Sequence, residues 1–187
     1  MENKKTKIMI EAALMVALSV VLNYIKFAPW PNGGSITLAA MTPIVVLSLR
    51  RGWKWGLLGG FAFSLLQMLL DGVSAPPVTT FNWYFAVFML DYVLAYSVLG
   101  AADIFAKMIK NKTAGYAFGA FAVTTVRYIC HIISGVIIWG VYAPEGVSPM
   151  VYSLLYNGSY MIPEIIITAV VACFVTRIPQ IKMVDEG

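Results

Sequence analysis

Six apolar runs, separated by short polar segments, make up most of the 187-residue chain. A helix needs about 20 apolar residues to cross a bilayer, and this chain is 60% hydrophobic with a mean hydropathy of +0.80. The second run is short and contains Pro43, so we expect its helix to be tilted, broken or extended by neighbouring residues. We therefore predict an all-α membrane protein whose six transmembrane helices form a single domain over residues 1–187. The runs cover residues 8–25, 35–49, 55–70, 83–105, 115–142 and 150–175.

The basic residues predict how this bundle is oriented. Lys and Arg near short loops are retained on the cytoplasmic side of a membrane. Clusters of basic residues precede the first run and follow the second, fourth and sixth, whereas Lys26 is the only basic residue in the alternate loops. Six spans with both termini in the cytoplasm satisfy every cluster. The net charge of +4 therefore indicates topology in a lipid bilayer, and no binding to nucleic acid is predicted.

No catalytic or metal-binding motif accompanies these runs. Cys130 and Cys173 both fall inside apolar runs, where a disulfide or a metal cluster is disfavoured, and His131 is the single histidine. The chain has no phosphate-binding glycine loop and no evident nucleophile with a neighbouring base. The sequence therefore predicts no enzyme, no metal site and no cofactor.

Polar residues inside the runs locate a candidate site. Ionisable groups are costly in a bilayer and usually face a cavity or a partner. Asp91 lies eight residues after Trp83, the aromatic residue at the outer end of its run, and His131 lies eight residues before Trp139. At about 1.5 Å per helical residue, both side chains are expected roughly 12 Å below the outer interface. Tyr152 and Asn157 follow at the outer end of the sixth run, which predicts an outward-opening pocket lined by three helices.

The same residues also have structural explanations. Trp139 fits an interfacial aromatic belt, and Asn157 fits a hydrogen bond between helices. Arg127 and Glu164 each lie twelve residues in from the outer aromatic of their helix, so we expect them to form an ion pair in the bundle interior rather than to contact a ligand. Two titratable groups at one depth, beside several aromatic rings, favour a binding site over a structural pair.

One set of residues resembles a family signature. The resemblance covers nearly the whole chain, through residues 48–52, 91–92, 127–139 and 152–158, and the last two segments are the most specific. The family is the thiamine-specific S-component of energy-coupling-factor (ECF) transporters. The resemblance implies a six-helix protein of the bacterial cell membrane that binds thiamine with high affinity near the outer face. The residues that carry it are Arg127, His131, Trp139, Tyr152 and Asn157.

The resemblance also implies roles for individual residues. Asp91 stands where the family usually has Glu, Arg127 stands where Lys is common, and Trp30 is the nearest substitute for a first-loop Trp of some relatives. Trp30, Arg127 and Glu164 therefore form a second group, whose contact with the substrate is left open. The expected substrate-binding residues are Asp91, Tyr92, His131, Trp139, Tyr152 and Asn157.

Thiamine has a permanently charged thiazolium ring, an aminopyrimidine ring and a hydroxyethyl tail, and the residue types suit each part. Trp139 and the tyrosines can stack on the rings, with a cation–π attraction of about 2 kcal/mol or more when desolvated. Asp91 can balance the cation or accept from the amino group. His131 and Asn157 can supply directed hydrogen bonds, so a ligand without matching groups would leave these buried polar atoms unpaired and be rejected. Arg127 repels a cation, so we expect it at the floor of the pocket, paired with an acid.

This chain carries no ATP-binding motif, so partner subunits must supply the energy for transport, and the resemblance implies which subunits they are. They are a membrane coupling subunit and two cytoplasmic ATPases, with docking through the small residues Ala13 and Ala17, whose spacing permits close helix approach. Two alternatives stay open: an S-component for another vitamin or precursor, such as riboflavin or hydroxymethylpyrimidine, and a self-sufficient transporter. The second is disfavoured by the lack of a convincing inverted repeat.

Overall fold

The computed structural model describes residues 4–29, 33–175 and 178, and within them the chain is mostly helical. Four helices, Lys4–Tyr24, Phe81–Ala106, Lys112–Ile137 and Pro149–Val175, are long and apolar enough to cross a membrane. One buried core joins side chains from all the helices. The helices are α1 (Lys4–Tyr24), α2 (Thr42–Arg51), α3 (Trp53–Asp71), α4 (Phe81–Ala106), α5 (Lys112–Ile137) and α6 (Pro149–Val175), and an antiparallel hairpin pairs β1 (Lys26–Pro29) with β2 (Ser35–Thr37).

The second apolar run differs most from its prediction. Its first residues form β2, and the helix begins only at Thr42, with Pro43 in its first turn. Proline is tolerated there because its missing N–H would have no partner in the helix. A helix of 10 residues rises about 15 Å, roughly half the bilayer core. Because Ile44 and Leu47 are fully buried, α2 is a core element, and the all-helical prediction missed the hairpin that precedes it.

Helix α4 is irregular where its polar residues lie. Residues Phe88–Leu94 form a π-helical segment, and Val98–Ala101 form a 3₁₀ turn. Adjacent residues of a regular α-helix point about 100° apart, yet Asp91 and Tyr92 both line the same interior cavity. Because π segments add a residue to a turn and are frequent at functional sites, this segment accounts for the placement of both side chains.

Helices α3 and α4 cross with almost no space between their backbones. A Cβ atom added at Gly56 would lie 2.6 Å from the Cβ of Ser48 and 2.8 Å from the Cα of Gly100. Ser48 Oγ donates to the carbonyl oxygen of Gly100 at 2.5 Å and accepts from the backbone N–H of Asp103 at 3.1 Å. Small residues are therefore required at this crossing, which holds α2, α3 and α4 together at the end of the bundle away from the hairpin.

Replacing Gly100 with Ala is expected to lower the free energy of unfolding by about 1–3 kcal/mol, because the new methyl group would overlap the backbone of Gly56 and Leu57. Thermal unfolding in detergent measures the effect. Ile104→Ala on the same helix is the control, since Ile104 is 48% exposed and we expect a smaller change. Equal unfolding temperatures for Gly100→Ala and the wild type would contradict the close crossing.

Candidate substrate-binding site

A cavity of about 470 Å³ lies between the helices and beneath the β1–β2 hairpin. This volume is typical of small-molecule sites, which hold about 300–1,000 Å³. Trp30, expected from the first loop, lies outside the described residues. The structure brings the remaining sequence-predicted residues to this one cavity, namely Asp91, Tyr92, Arg127, His131, Trp139, Tyr152, Asn157 and Glu164.

Asp91 is the centre of a hydrogen-bond network in the part of the cavity next to Trp139. Its Oδ2 accepts from Ser134 Oγ at 2.7 Å and from the indole Nε1 of Trp139 at 3.1 Å. Its Oδ1 lies 3.2 Å from Nδ1 of His131. The two titratable side chains that the sequence placed at one depth are thus in contact. Because donors from α5 and the segment after it hold the carboxylate, its charge is fixed in position beside the indole ring.

The expected ion pair between Arg127 and Glu164 is wrong. Arg127 Nε donates to His131 Nε2 at 3.3 Å, and its guanidinium lies 4.0 Å from the ring centroid of Tyr96. Glu164 Oε1 instead accepts from the backbone N–H of Thr37 and from Thr37 Oγ1, the latter at 2.8 Å. The aromatic face of Tyr96 and the imidazole of His131 contact the arginine, while the hairpin supplies donors to the glutamate. Since Nε2 of His131 accepts from Arg127, its Nδ1 carries the proton that is donated to Asp91.

Asn157 joins α5 to α6. Its Nδ2 donates to the carbonyl oxygens of His131 at 3.1 Å and Ser153 at 3.0 Å, and its Oδ1 accepts from the hydroxyl of Tyr160 at 2.6 Å. The interhelical role that the sequence allowed is therefore present. Because an amide oxygen has two lone pairs, Oδ1 keeps acceptor capacity towards the cavity that Asn157 lines.

Aromatic rings form the walls. The rings of Trp139 and Tyr142 are stacked, with centroids 6.3 Å apart and an interplanar angle of 19°. On α6, the centroids of Tyr152 and Tyr156 are 5.6 Å apart, and Tyr156 packs edge-on against Tyr160. Tyr156 also donates from its hydroxyl to the carbonyl oxygen of Gly33 at 2.9 Å, which ties the hairpin to α6. Such walls suit a flat ligand, and their electron-rich faces attract a cation.

Tyr92 and two charged residues lie at the mouth of the cavity, beside the α3–α4 loop. The hydroxyl of Tyr92 accepts from the backbone N–H of Ser74 at 3.1 Å and donates to the carbonyl oxygen of Gly72 at 3.2 Å. Lys26 and Asp71 form an ion pair of 3.9 Å nearby. The hydroxyl of Tyr92 is therefore engaged in holding the loop, and its ring is the part that is free to contact a ligand.

Sequence reasoning missed Asn23 and Gln67, which also line the cavity. Asn23 Nδ2 donates to Gln67 Oε1 at 2.8 Å, whereas Gln67 Nε2 is buried and has no hydrogen-bond partner among the described residues. A single Gln within the apolar run 55–70 was the available signal, because polar residues inside a span usually face a cavity or a partner.

Four helices long and apolar enough to cross a membrane, around a polar cavity with aromatic walls, are typical of a multi-pass membrane protein that binds a small solute. A family model described as "Thiamine transporter protein (Thia_YuaJ)" matches residues 9–183. This chain belongs to the thiamine transporter family. The membership confirms the family predicted from the sequence and the prediction that the chain is not an enzyme; thiamine is the transported substrate of this family, not a cofactor.

Individual relatives agree with this membership. The thiamine transporter ThiT of Bacillus subtilis (strain 168) is 33% identical over 200 residues, covering 100% of this chain and 99% of that protein. ThiT of Lacticaseibacillus paracasei is 29% identical over 196 residues, covering 100% and 95%. A solved structure of ThiT from Listeria monocytogenes has a TM-score of 0.78 at 22% identity, over 96% of this chain and 98% of that one. The last likeness supports the fold.

Proposed function

We propose that this chain is the thiamine-binding S-component of an ECF-type importer in a bacterial cell membrane. It captures thiamine with high affinity at the outer face, and partner subunits supply the ATP-driven step. The observation that carries the proposal is the cavity in which the Asp91 carboxylate lies within hydrogen-bond distance of Trp139 and His131. An acid held beside aromatic rings suits a cationic heteroaromatic ligand better than a neutral one.

Each expected substrate-binding residue has a role in this proposal. Asp91 balances the thiazolium charge, while Trp139 and Tyr152 contact the flat faces of the rings. His131 and Asn157 contribute polar contacts from α5 and α6. Tyr92 closes the site at the mouth through its ring. Because a buried polar group left unpaired costs about 1–3 kcal/mol, ligands without matching donors and acceptors are rejected.

The proposed orientation places the hairpin and the cavity mouth outside and both termini in the cytoplasm. At the opposite end of the bundle, Glu11 accepts from Arg50 Nε at 2.6 Å and from Arg51. Lys107 extends this basic end through its 2.8 Å ion pair with Asp103. Basic residues concentrate on the side of a membrane protein that faces the cytoplasm, which supports this orientation. The shared core supports a single binding domain over residues 1–187.

The proposed partners are the membrane coupling subunit and two cytoplasmic ATPases, with α1 as the docking helix. Ala13 and Ala17 are both exposed on α1, and Leu14 beside them is 66% exposed. A face of small residues lets another helix approach closely. Glu11 forms its hydrogen bonds with Arg50 and Arg51 of α2. It therefore does not cover the face of α1 that carries Ala13 and Ala17.

Thiamine is expected to quench the intrinsic tryptophan fluorescence of the detergent-purified protein in a saturable manner, and Trp139→Phe should remove most of the change. Trp139 lines the cavity, whereas Trp53 is 41% exposed at the start of α3. Trp53→Phe is therefore the matched control and should keep most of the signal. A saturable response to riboflavin or hydroxymethylpyrimidine, with none to thiamine, would assign the cavity to the alternative vitamin class.

A further inference from the structure

Two lysines from distant parts of the chain flank the turn between α2 and α3. Gly52 is the only residue between these helices, and Lys54 lies in the first turn of α3. Lys107, directly after α4, reaches the same turn. Its Nζ lies 2.8 Å from Oδ2 of Asp103, and that oxygen lies 3.9 Å from the position of a Cβ atom added at Gly52. Because Asp103 is buried, its carboxylate fixes the Lys107 ammonium beside the turn.

Two arginines add to the positive charge at this turn. Arg50 and Arg51 are the last residues of α2. Both bond to one carboxylate, since Glu11 accepts from Arg50 Nε at 2.6 Å and from Arg51 Nε at 2.7 Å. The other acid described here, Asp103, pairs with Lys107. The two acids therefore balance two of these three cations, and one positive charge remains in excess.

Lys54 contributes a second uncompensated charge. It forms no ion pair with a described residue, and its Nζ lies 5.7 Å from the ring centroid of Trp53. Trp53 is itself exposed, and tryptophan rings are enriched at the headgroup level of a bilayer. The ammonium of Lys107 has three donors, of which Asp103 accepts one. An anion at this turn therefore meets donors from both lysines.

An exposed apolar stripe continues from Lys54 along α3. Leu58, Phe61 and Leu65 follow it at intervals of four, three and four residues, which places all four side chains on one face of the helix. The three apolar residues are exposed, and we call them the α3 stripe. This face begins with a cation and continues with apolar side chains over about 16 Å. It matches an amphiphile that has an anionic head and a hydrocarbon chain.

We propose that this turn binds the phosphate headgroup of an anionic phospholipid in the cytoplasmic leaflet, and that an acyl chain of the lipid lies along the α3 stripe. The inference rests on the proposed orientation of the bundle and goes beyond solute binding. Anionic lipids of the cytoplasmic leaflet attract Lys and Arg near the membrane surface. A lipid bound here contacts α2, α3 and the end of α4 together. We call the surface the basic turn; it consists of Arg50, Arg51, Trp53, Lys54 and Lys107.

Native mass spectrometry tests the inference on detergent-purified protein, in micelles that contain equal amounts of phosphatidylglycerol and phosphatidylcholine. The wild type should retain phosphatidylglycerol in preference to phosphatidylcholine. Lys54→Glu reverses one exposed charge and should lower this preference by about tenfold or more. Lys54→Gln removes the charge without reversing it and should have a smaller effect in the same direction.

Lys4→Glu is the matched control, because it changes the net charge of the protein by the same amount. Lys4 is exposed at the start of α1, seven residues or about 10 Å before Glu11, so the lipid preference should stay within about twofold of the wild type. Excess glycerol phosphate should not displace phosphatidylglycerol, since it lacks the acyl chain that contacts the α3 stripe. Thiamine titration of each variant reports folding, and it should be unchanged because the cavity opens at the other end of the bundle.

Each other outcome overturns a defined claim. Equal retention of the two lipids by the wild type, or displacement by glycerol phosphate, would contradict a lipid site. Equal losses in Lys54→Glu and Lys4→Glu would assign the preference to net charge and overturn the inference as well. Loss of uptake in Lys54→Glu, with an unchanged lipid preference, would assign the basic turn to a protein partner instead. Absence of thiamine binding, with the lipid preference intact, would overturn the proposed function alone.

Discussion

Replacing Asp91 with Asn is expected to weaken thiamine binding by about 100-fold or more. Asn keeps the size of the side chain and an oxygen that can accept from Ser134 and Trp139. It loses the charge, and its amide N–H₂ faces the protonated Nδ1 of His131, to which the carboxylate had been an acceptor. Truncating one partner of a buried charge pair costs about 2–5 kcal/mol, and about 1.4 kcal/mol corresponds to a tenfold change in affinity. Isothermal titration calorimetry of the detergent-purified variant measures the loss.

Asp71 provides the matched control, because it is a second acid that lines the same cavity. Its side chain is 35% exposed and lies 3.9 Å from Lys26 at the mouth. Water screens such exposed charges, which typically contribute about 0–1 kcal/mol, so Asp71→Asn should change affinity by less than about fivefold. Similar losses for the two variants would indicate a general effect of charge and would contradict the assigned role of Asp91.

The double replacement of Ala13 and Ala17 by Trp is expected to abolish thiamine uptake in cells and to leave thiamine binding unchanged. Both alanines are exposed on α1, so the larger rings do not disturb the bundle interior. They do prevent the close helix approach that small residues permit. Uptake of radiolabelled thiamine by cells and titration of the purified variant measure the two effects separately.

Val170→Trp on α6 is the control for this variant, since Val170 is 48% exposed and belongs to a different helix. It should leave both uptake and binding close to those of the wild type. Loss of binding in the Ala13 and Ala17 variant would point to misfolding, and normal uptake would contradict α1 as the docking helix.

The sequence predicted the helical framework well because long apolar runs have few other solutions in a bilayer. It did not predict the β1–β2 hairpin, nor that the short second run begins as a strand and becomes helical only at Thr42. The strand at Ser35–Thr37 is held by a contact between Thr37 and Glu164, which are 127 residues apart. No local pattern indicates such a contact. Pro43 was expected to disturb a helix, whereas it lies where a helix begins.

Depth along the helices predicted that Asp91 and His131 lie at one level and that Arg127 pairs with Glu164, whereas the substrate-binding roles came from the family resemblance. Aromatic residues mark the outer interface and the helical rise is constant, so Asp91 and His131 were placed at one level, and they are in contact. Depth does not specify the direction in which a side chain points. Arg127 and Glu164 were therefore paired by level although each bonds elsewhere, and Gln67 received no role.

Equilibrium dialysis of radiolabelled thiamine against the detergent-purified protein, with unlabelled vitamins as competitors, tests the central claim most directly. The cavity between Asp91, His131, Trp139 and Asn157 is expected to bind one thiamine per chain, in a saturable manner. Unlabelled thiamine should displace the label, and equal concentrations of riboflavin or hydroxymethylpyrimidine should not. No saturable binding, or displacement by riboflavin as effective as that by thiamine, would contradict the assignment of this cavity to thiamine.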